Sequence, residues 1–368
     1  MRVPFVDLYH KHEALKHELL SAAEAIIDSS QFVLGGRLRA FEEDFASFCE
    51  VKHAIGVGCG LDALKIALQT LGVQQGDEVI VPAHTYIATW LAVSQINATI
   101  VPVDADPSSM NIDVSLIEQA ITPKTKVIIP VHMYGYMCAM DKVMALAEKY
   151  DIKVLEDFAQ AHGAIYQGRI AGSIGHVNAT SFYPGKNLGA LGDGGAVCCN
   201  SPRYAETISK LRNYGSQQKY YHEILGQNSR LDNLQAAFLQ IKLRHLTQWN
   251  RERQLAAKEY TKNLQGTADL ILPMHGEEDQ HVYHLFVVRT AQREALRTFL
   301  ENKGVSTIIH YPIPPHLQEA YAHLGYEGGS FPVAEKIAST ALSLPMFPGI
   351  TSDQIAYVCA QIKAFYKF

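Results

Sequence analysis

Between residues 50 and 200 short apolar runs alternate with longer stretches in which apolar residues recur at helical spacing. The runs at 53–58, 78–83, 99–105, 126–135, 152–159, 179–183 and 194–199 read as strands. From residue 78 to residue 159 they are rich in Val and Ile with little interruption, the pattern of strands buried on both faces. The segments between them, 61–72, 115–121 and 142–150, predict amphipathic helices. Strand and helix in alternation give an α/β domain built on a mostly parallel sheet.

Residues 229–264 carry apolar side chains at Leu231, Leu234, Ala237, Phe238, Ile241, Leu243 and Leu246 with no Pro or Gly inside, which predicts one long helix or two abutting ones. Such a helix bridges domains. Beyond it the pattern gives a strand over 281–290, a helix over 292–303, a strand over 305–311 and a closing helix from about Ser352. The expected organisation is therefore a large domain over 1–247 and a smaller α+β domain over 248–368.

Composition narrows the function. Lys plus Arg number 32 against 37 Asp plus Glu, a net charge of −5, and no basic block forms, so nucleic acid is not an expected partner. The N-terminal segment mixes charged residues into its apolar ones, and no later stretch reaches the length of a membrane span. A cytoplasmic protein without a membrane partner is the expectation. The six cysteines are scattered without a C-x-x-C, so they read as reduced thiols. His84, His132, His162, His310 and His316 are too dispersed for a metal set, and no metal is expected.

The segment Ser181–Gly195 holds Lys186 among five glycines with no second cation. A solvated turn lysine is the ordinary reading. A phosphate-binding P-loop fails, because Thr180 and Asn187 occupy its first glycine and its Ser/Thr position. Small neighbours instead let a bulky carbonyl cofactor approach the amine, which suits Schiff-base chemistry. Upstream, Asp157 ends a parallel strand, where side chains face the ligand crevice. It is either a cap or the partner of a pyridinium nitrogen, and Glu156 points to the other face.

A third feature is the strand 53–58 running into Gly58-Cys59-Gly60-Leu61-Asp62 and a helix, which assembles an anion site from backbone amides. The same glycines loosely match a dinucleotide fingerprint, with Asp77 or Glu78 as the ribose acid. That rival leaves Lys186 and Asp157 without a role, whereas one phosphate, one acid and one lysine describe pyridoxal phosphate (PLP).

GCGLDAL, EDFAQAHGA and SFYPGKNLGALGDGG together resemble the DegT/StrS-type nucleotide-sugar aminotransferases. The likeness extends through PFVDL, PAHTYIAT, NSRLDNLQAAFL and HYPIPPHLQ. It implies a PLP-dependent enzyme of the aspartate aminotransferase fold (PLP fold type I), acting as a homodimer with shared active sites. Lys186 becomes the Schiff-base lysine and Asp157 the partner of the ring nitrogen. Tyr86 stacks on the ring, Gln160 lies against it or its hydroxyl, and the amides of Gly60, Leu61 and Asp62 cradle the phosphate. Ser181 adds a hydroxyl, and Asn228 reaches over from the neighbouring subunit. Tyr183, His310 and Tyr311 are the substrate candidates.

Many relatives have Ser or Asn, Gly and Thr where this chain has Cys59-Gly60-Leu61, so a hydroxyl contact to phosphate is lost. The resemblance is to members acting at C3 of a dTDP-linked 3-keto-6-deoxyhexose, with glutamate as amino donor and a galacto configuration at C4 preferred. The gluco sugar, a C4-keto sugar, and a PLP-binding regulatory protein without turnover are the alternatives. Lys186 speaks against the dehydratases of this fold, in which histidine replaces the lysine.

Overall fold

The computed structural model describes residues 1–276 and 279–367. Seven strands form the central sheet in the spatial order His53–Val57, Gly195–Cys199, Val177–Ser181, Lys153–Asp157, Thr125–Ile128, Glu78–Pro82 and Thr99–Val103. Only Gly195–Cys199 runs against the others. The strong Val/Ile runs are buried on both faces, as their composition predicts: Val79, Val81, Val127 and Leu155 pack into one layer, and Ile80, Ile128 and Val154 into the other.

Tyr9–Ser29 forms a long N-terminal helix that packs against the helix Asn233–Leu243. The stretch 229–264 contains two helices, Asn233–Leu243 and Leu246–Leu264, with a short break at Arg244 and His245. The second carries a third core, in which Tyr260 and Leu264 pack with Phe286, Leu296 and Val358. The strands Phe286–Arg289 and Ala341–Leu344 pair antiparallel there, and the closing helix Ser352–Phe365 starts from a capping box at Thr351 and Gln354.

Three expected strands are much shorter than their apolar runs. Of 126–135 only the start, within Thr125–Ile128, is a strand, and Met133–Gly135 forms a 3-10 turn. Only Phe286–Arg289 of 281–290 is a strand; over 281–285 the chain makes other contacts, and the buried Arg253 donates to the carbonyls of Tyr283 and His284. Residues 305–311 make single bridges at Val305 and Ile308. The His310 carbonyl in this segment accepts a hydrogen bond from the Tyr134 hydroxyl. Its backbone is used for tertiary contacts, which leaves no ladder.

Asp104, just past the strand Thr99–Val103, accepts from the amides of Val333 and Ala334 at 3.0 and 2.8 Å and so caps the helix Pro332–Thr340.

Candidate active site

A cavity of about 300 Å³ opens at the carboxyl ends of the parallel strands, where the crevice of an α/β sheet binds its ligand. Gly60, Leu61, Tyr86, Asp157, Gln160, Ser181, Tyr183 and Lys186 all line it. Lys186 is the one cation among its described lining residues, so a bound phosphate would be held by neutral donors.

Those donors sit at the start of the helix Gly60–Thr70. Its N-cap is Cys59, whose Sγ accepts from the Asp62 amide at 3.4 Å. Gly60 and Leu61, in the first turn, line the cavity at the positive end of the helix. Asp62 does not line the cavity: its carboxylate accepts from Ser229 Oγ at 2.6 Å, and the same hydroxyl accepts from the Gly58 amide at 3.0 Å. Of the three amides expected to cradle phosphate, that of Asp62 therefore already has a partner.

The glycines are required by close approach. A Cβ at Gly60 would lie 2.6 Å from Ser181 Cβ, and one at Gly195 would lie 2.5 Å from the Cys59 carbonyl. These bare positions let the helix start, Ser181 and the end of the antiparallel strand converge on one point.

Lys186 and Asp157 face the same space with opposed shifts. Burial drives the Lys186 ammonium down to about 8, against the pull of the Asp157 carboxylate. Burial raises Asp157, while the Ala159 amide, bonded to Oδ1 at 3.1 Å, and Lys186 act the other way. A lysine poised near neutrality and an acid in a dry site can respectively form a covalent bond to a carbonyl and stabilise a cationic ring. Glu156 points to the opposite face, as strand alternation requires, and its carboxylate is satisfied by His132 and by the amides of Gly172, Ile174 and Gly175. It has no oxygen free for catalysis.

Behind the lysine loop stand two buried lysines. Lys11 Nζ donates to the Asn187 carbonyl at 3.2 Å and lies 3.9 Å over the Trp249 ring, while Lys242 Nζ donates to the Gly189 carbonyl at 2.8 Å. They fix the backbone on the far side of Lys186, and burial lowers the pKa of both.

The remaining candidates lie at or beyond the rim. Tyr86 is 54% exposed, and its ring centroid is 5.3 Å from that of Tyr311. Tyr311 receives a hydrogen bond from Gln160 Nε2 at 3.3 Å and so touches the site through Gln160 and Tyr86 without lining the cavity. The His310 imidazole is bonded through Nδ1 to Ser343 Oγ at 2.8 Å, and burial holds it neutral, down to about 4. Asn228 is exposed and outside the cavity of its own chain.

Tyr134 and His84, not singled out as site residues from sequence, also belong here: the Tyr134 amide donates to Gln160 Oε1 at 2.6 Å, and His84 Nε2 meets the Tyr134 hydroxyl at 2.7 Å. Both follow apolar runs of the parallel sheet, the same positional signal that marks Asp157.

The site residues fit pyridoxal phosphate: a helix start with no cation beside it, an acid and a lysine lining one cavity, and an aromatic at its rim. Among the described residues there is no cluster of His, Cys, Asp or Glu suited to a metal, and no helix is long and apolar enough to cross a membrane.

Comparison with known proteins agrees. The dTDP-3-amino-3,4,6-trideoxy-α-D-glucose transaminase of Streptomyces venezuelae is 48% identical over 98% of this chain and 96% of its own. The dTDP-3-amino-3,6-dideoxy-α-D-galactopyranose transaminase of Aneurinibacillus thermoaerophilus is 45% identical over 99% of each. The crystal structure of S. venezuelae DesV superposes with a TM-score of 0.98 at 48% identity, covering 100% of this chain and 99% of that one. The pattern of the DegT/DnrJ/EryC1/StrS aminotransferase family matches residues 13–363. The protein is a PLP-dependent sugar aminotransferase of the type I fold, and the chain belongs to the DegT/DnrJ/EryC1/StrS family.

Proposed function

We propose that the enzyme transfers an amino group from glutamate to C3 of a dTDP-linked 3-keto-6-deoxyhexose. The observation that carries the reading is the 48% identity, over nearly the whole of both chains, to a transaminase named for a dTDP-3-amino sugar. The dTDP-3-amino-galactopyranose transaminase at 45% identity keeps the galacto and gluco acceptors both in play.

When bound, PLP supplies the electron sink through which the amino group changes carriers. Lys186 Nζ gives the attachment point and then takes and returns the proton that the exchange of donor for acceptor requires. Asp157 supplies the negative charge that keeps a ring nitrogen protonated. Gln160 turns its Nε2 to the site, one proton donated to Tyr311 and the other available to the cofactor, because the Tyr134 amide holds its oxygen. Tyr86 covers the mouth and excludes water.

The substrate is tested by preparing the pyridoxamine form and incubating it separately with the 3-keto and the 4-keto dTDP-6-deoxyhexoses. Recovery of the aldehyde form is expected to be about 10²-fold faster with the 3-keto sugar, since a misplacement of an ångström costs that much. Faster recovery with the 4-keto sugar would overturn the regiochemistry and leave the aminotransferase assignment standing.

The working unit in this reading is a homodimer in which Asn228 completes the partner's phosphate site. Ser229 is tied to Asp62 and the Gly58 amide of its own chain, so its neighbour Asn228 is carried outward. Exposed apolar side chains at Phe32, Val33 and Leu225 support a covering second copy. Mixing inactive Lys186→Ala with inactive Asn228→Ala under subunit exchange should restore activity. One of the two sites in each hybrid then carries neither lesion. No recovery, with exchange and the inactivity of both parents confirmed, would place Asn228 in cis or outside the site.

A further inference from the structure

Tyr134 is a buried tyrosine with left-handed backbone, φ 60° and ψ 3°, a conformation that a bulky residue holds only when its surroundings impose it. Every polar group it owns is engaged. Its amide donates to Gln160 Oε1 at 2.6 Å, and its carbonyl accepts from the Leu285 amide at 3.2 Å. Its hydroxyl donates to the His310 carbonyl at 2.5 Å and lies 2.7 Å from His84 Nε2. With the hydroxyl proton given to His310, His84 must be the donor of the second bond, which fixes its tautomer with the proton on Nε2.

One residue thus joins a cofactor-site amide, the chain crossing between domains, and the small-domain segment that brings Tyr311 over the site. The next residue tightens the corner. A Cβ on Gly135, at φ +100°, would lie 2.9 Å from the His284 amide and 3.0 Å from the Gln160 carbonyl. Neither the ring nor the hydroxyl of Tyr134 lines the cavity, so its action on the reaction passes through other groups.

We propose that Tyr134 is a positioning residue: its amide sets the Gln160 side chain with the donor toward the cofactor, and its hydroxyl, oriented by His84, pins the His310–Tyr311 segment as a wall of the acceptor site. The second half rests on the reading of the substrate as a keto sugar that enters between the domains. Burial keeps both partners in their neutral forms, with His84 driven down to about 4 and Tyr134 driven up.

Tyr134→Phe removes the hydroxyl and keeps the backbone corner, which separates the two halves. Two readouts on the holoenzyme test it. Amide hydrogen exchange of the peptide over residues 306–316, without sugar, is expected to quicken about tenfold, while peptides of the helix Ser352–Phe365 stay unchanged. The KM for the keto-sugar acceptor is expected to rise by about tenfold, with the glutamate-driven conversion of the cofactor within about twofold of wild type.

The exchange readout needs no substrate, so it still decides the proposal if the sugar assignment fails. Wild-type exchange in that peptide would overturn the proposal, as would an equal loss in both half-reactions, which would make Tyr134 part of the chemistry or of the fold at large. His84→Leu, which keeps the tyrosine and removes its donor, should give the same pattern at smaller amplitude. It settles the question if Tyr134→Phe is not recovered folded, and its failure to alter exchange would then count against the proposal.

Discussion

Lys186→Ala is expected to lower turnover by at least about 10⁴-fold, because the substitution removes both the amine that bonds the cofactor carbonyl and the group that moves the proton. Burial places the Lys186 pKa at about 8, so a sizeable fraction of the amine is neutral near pH 7.5 and competent to attack. Water in that position cannot hold the carbonyl covalently. The cofactor should nevertheless still bind, since the Gly60 and Leu61 amides, Ser181 and Asp157 are untouched. After borohydride reduction the wild-type chain should carry the cofactor mass at Lys186, and the variant should release its cofactor on dialysis. Ordinary steady-state activity in the variant would remove Lys186 from the chemistry.

What made this lysine legible before the fold was known is a property of its surroundings. A glycine-rich segment is costly to order, so a lone cation inside one calls for a reason; the bare positions themselves are required by close approach, since a Cβ at Gly189 or Gly195 would lie 2.4 Å from the Pro184 carbonyl or 2.5 Å from that of Cys59. Asp157 was legible from another rule, because an acid that ends an apolar parallel strand faces the crevice. The two signals met because they arise from adjacent strands, Lys153–Asp157 and Val177–Ser181.

Other parts depend on contacts that no local pattern encodes. Lys11 and Lys242 drew no notice in the sequence, yet both are buried, and they hold carbonyls of a loop 176 and 53 positions away in sequence. Residues 305–311 read as a strand, and the pattern is silent about the Tyr134 hydroxyl that donates to the His310 carbonyl. His310 drew notice as a substrate candidate; its imidazole is bonded through Nδ1 to Ser343, and its carbonyl accepts from the Tyr134 hydroxyl. Sequence marked the residues whose own chemistry is unusual. Residues that act by holding others, such as Tyr134, have ordinary chemistry and unusual neighbours.

Asp157→Asn separates those two kinds of role at the other pole of the site. The amide keeps the shape of the carboxylate and can still accept the Ala159 N–H, so only the charge opposite the ring nitrogen is lost. Without it the ring is a poorer electron sink, and kcat/KM is expected to fall by about 10²- to 10³-fold, some 3–4 kcal/mol of transition-state stabilisation. Stability should respond in the opposite sense. Burial raises the Asp157 pKa in the folded, cofactor-free chain, so its charged form opposes folding once the pH exceeds the value in the unfolded chain. At pH 7 the cofactor-free variant should therefore melt no lower than wild type, whereas the loss of a residue kept for folding would lower the midpoint. Cofactor attachment at Lys186 should survive, because the amine and the anion cradle are unchanged. A rate within about threefold of wild type, under ~1 kcal/mol, would show that another group holds the ring nitrogen. A lower melting point together with that rate would reduce Asp157 to a strand-end cap.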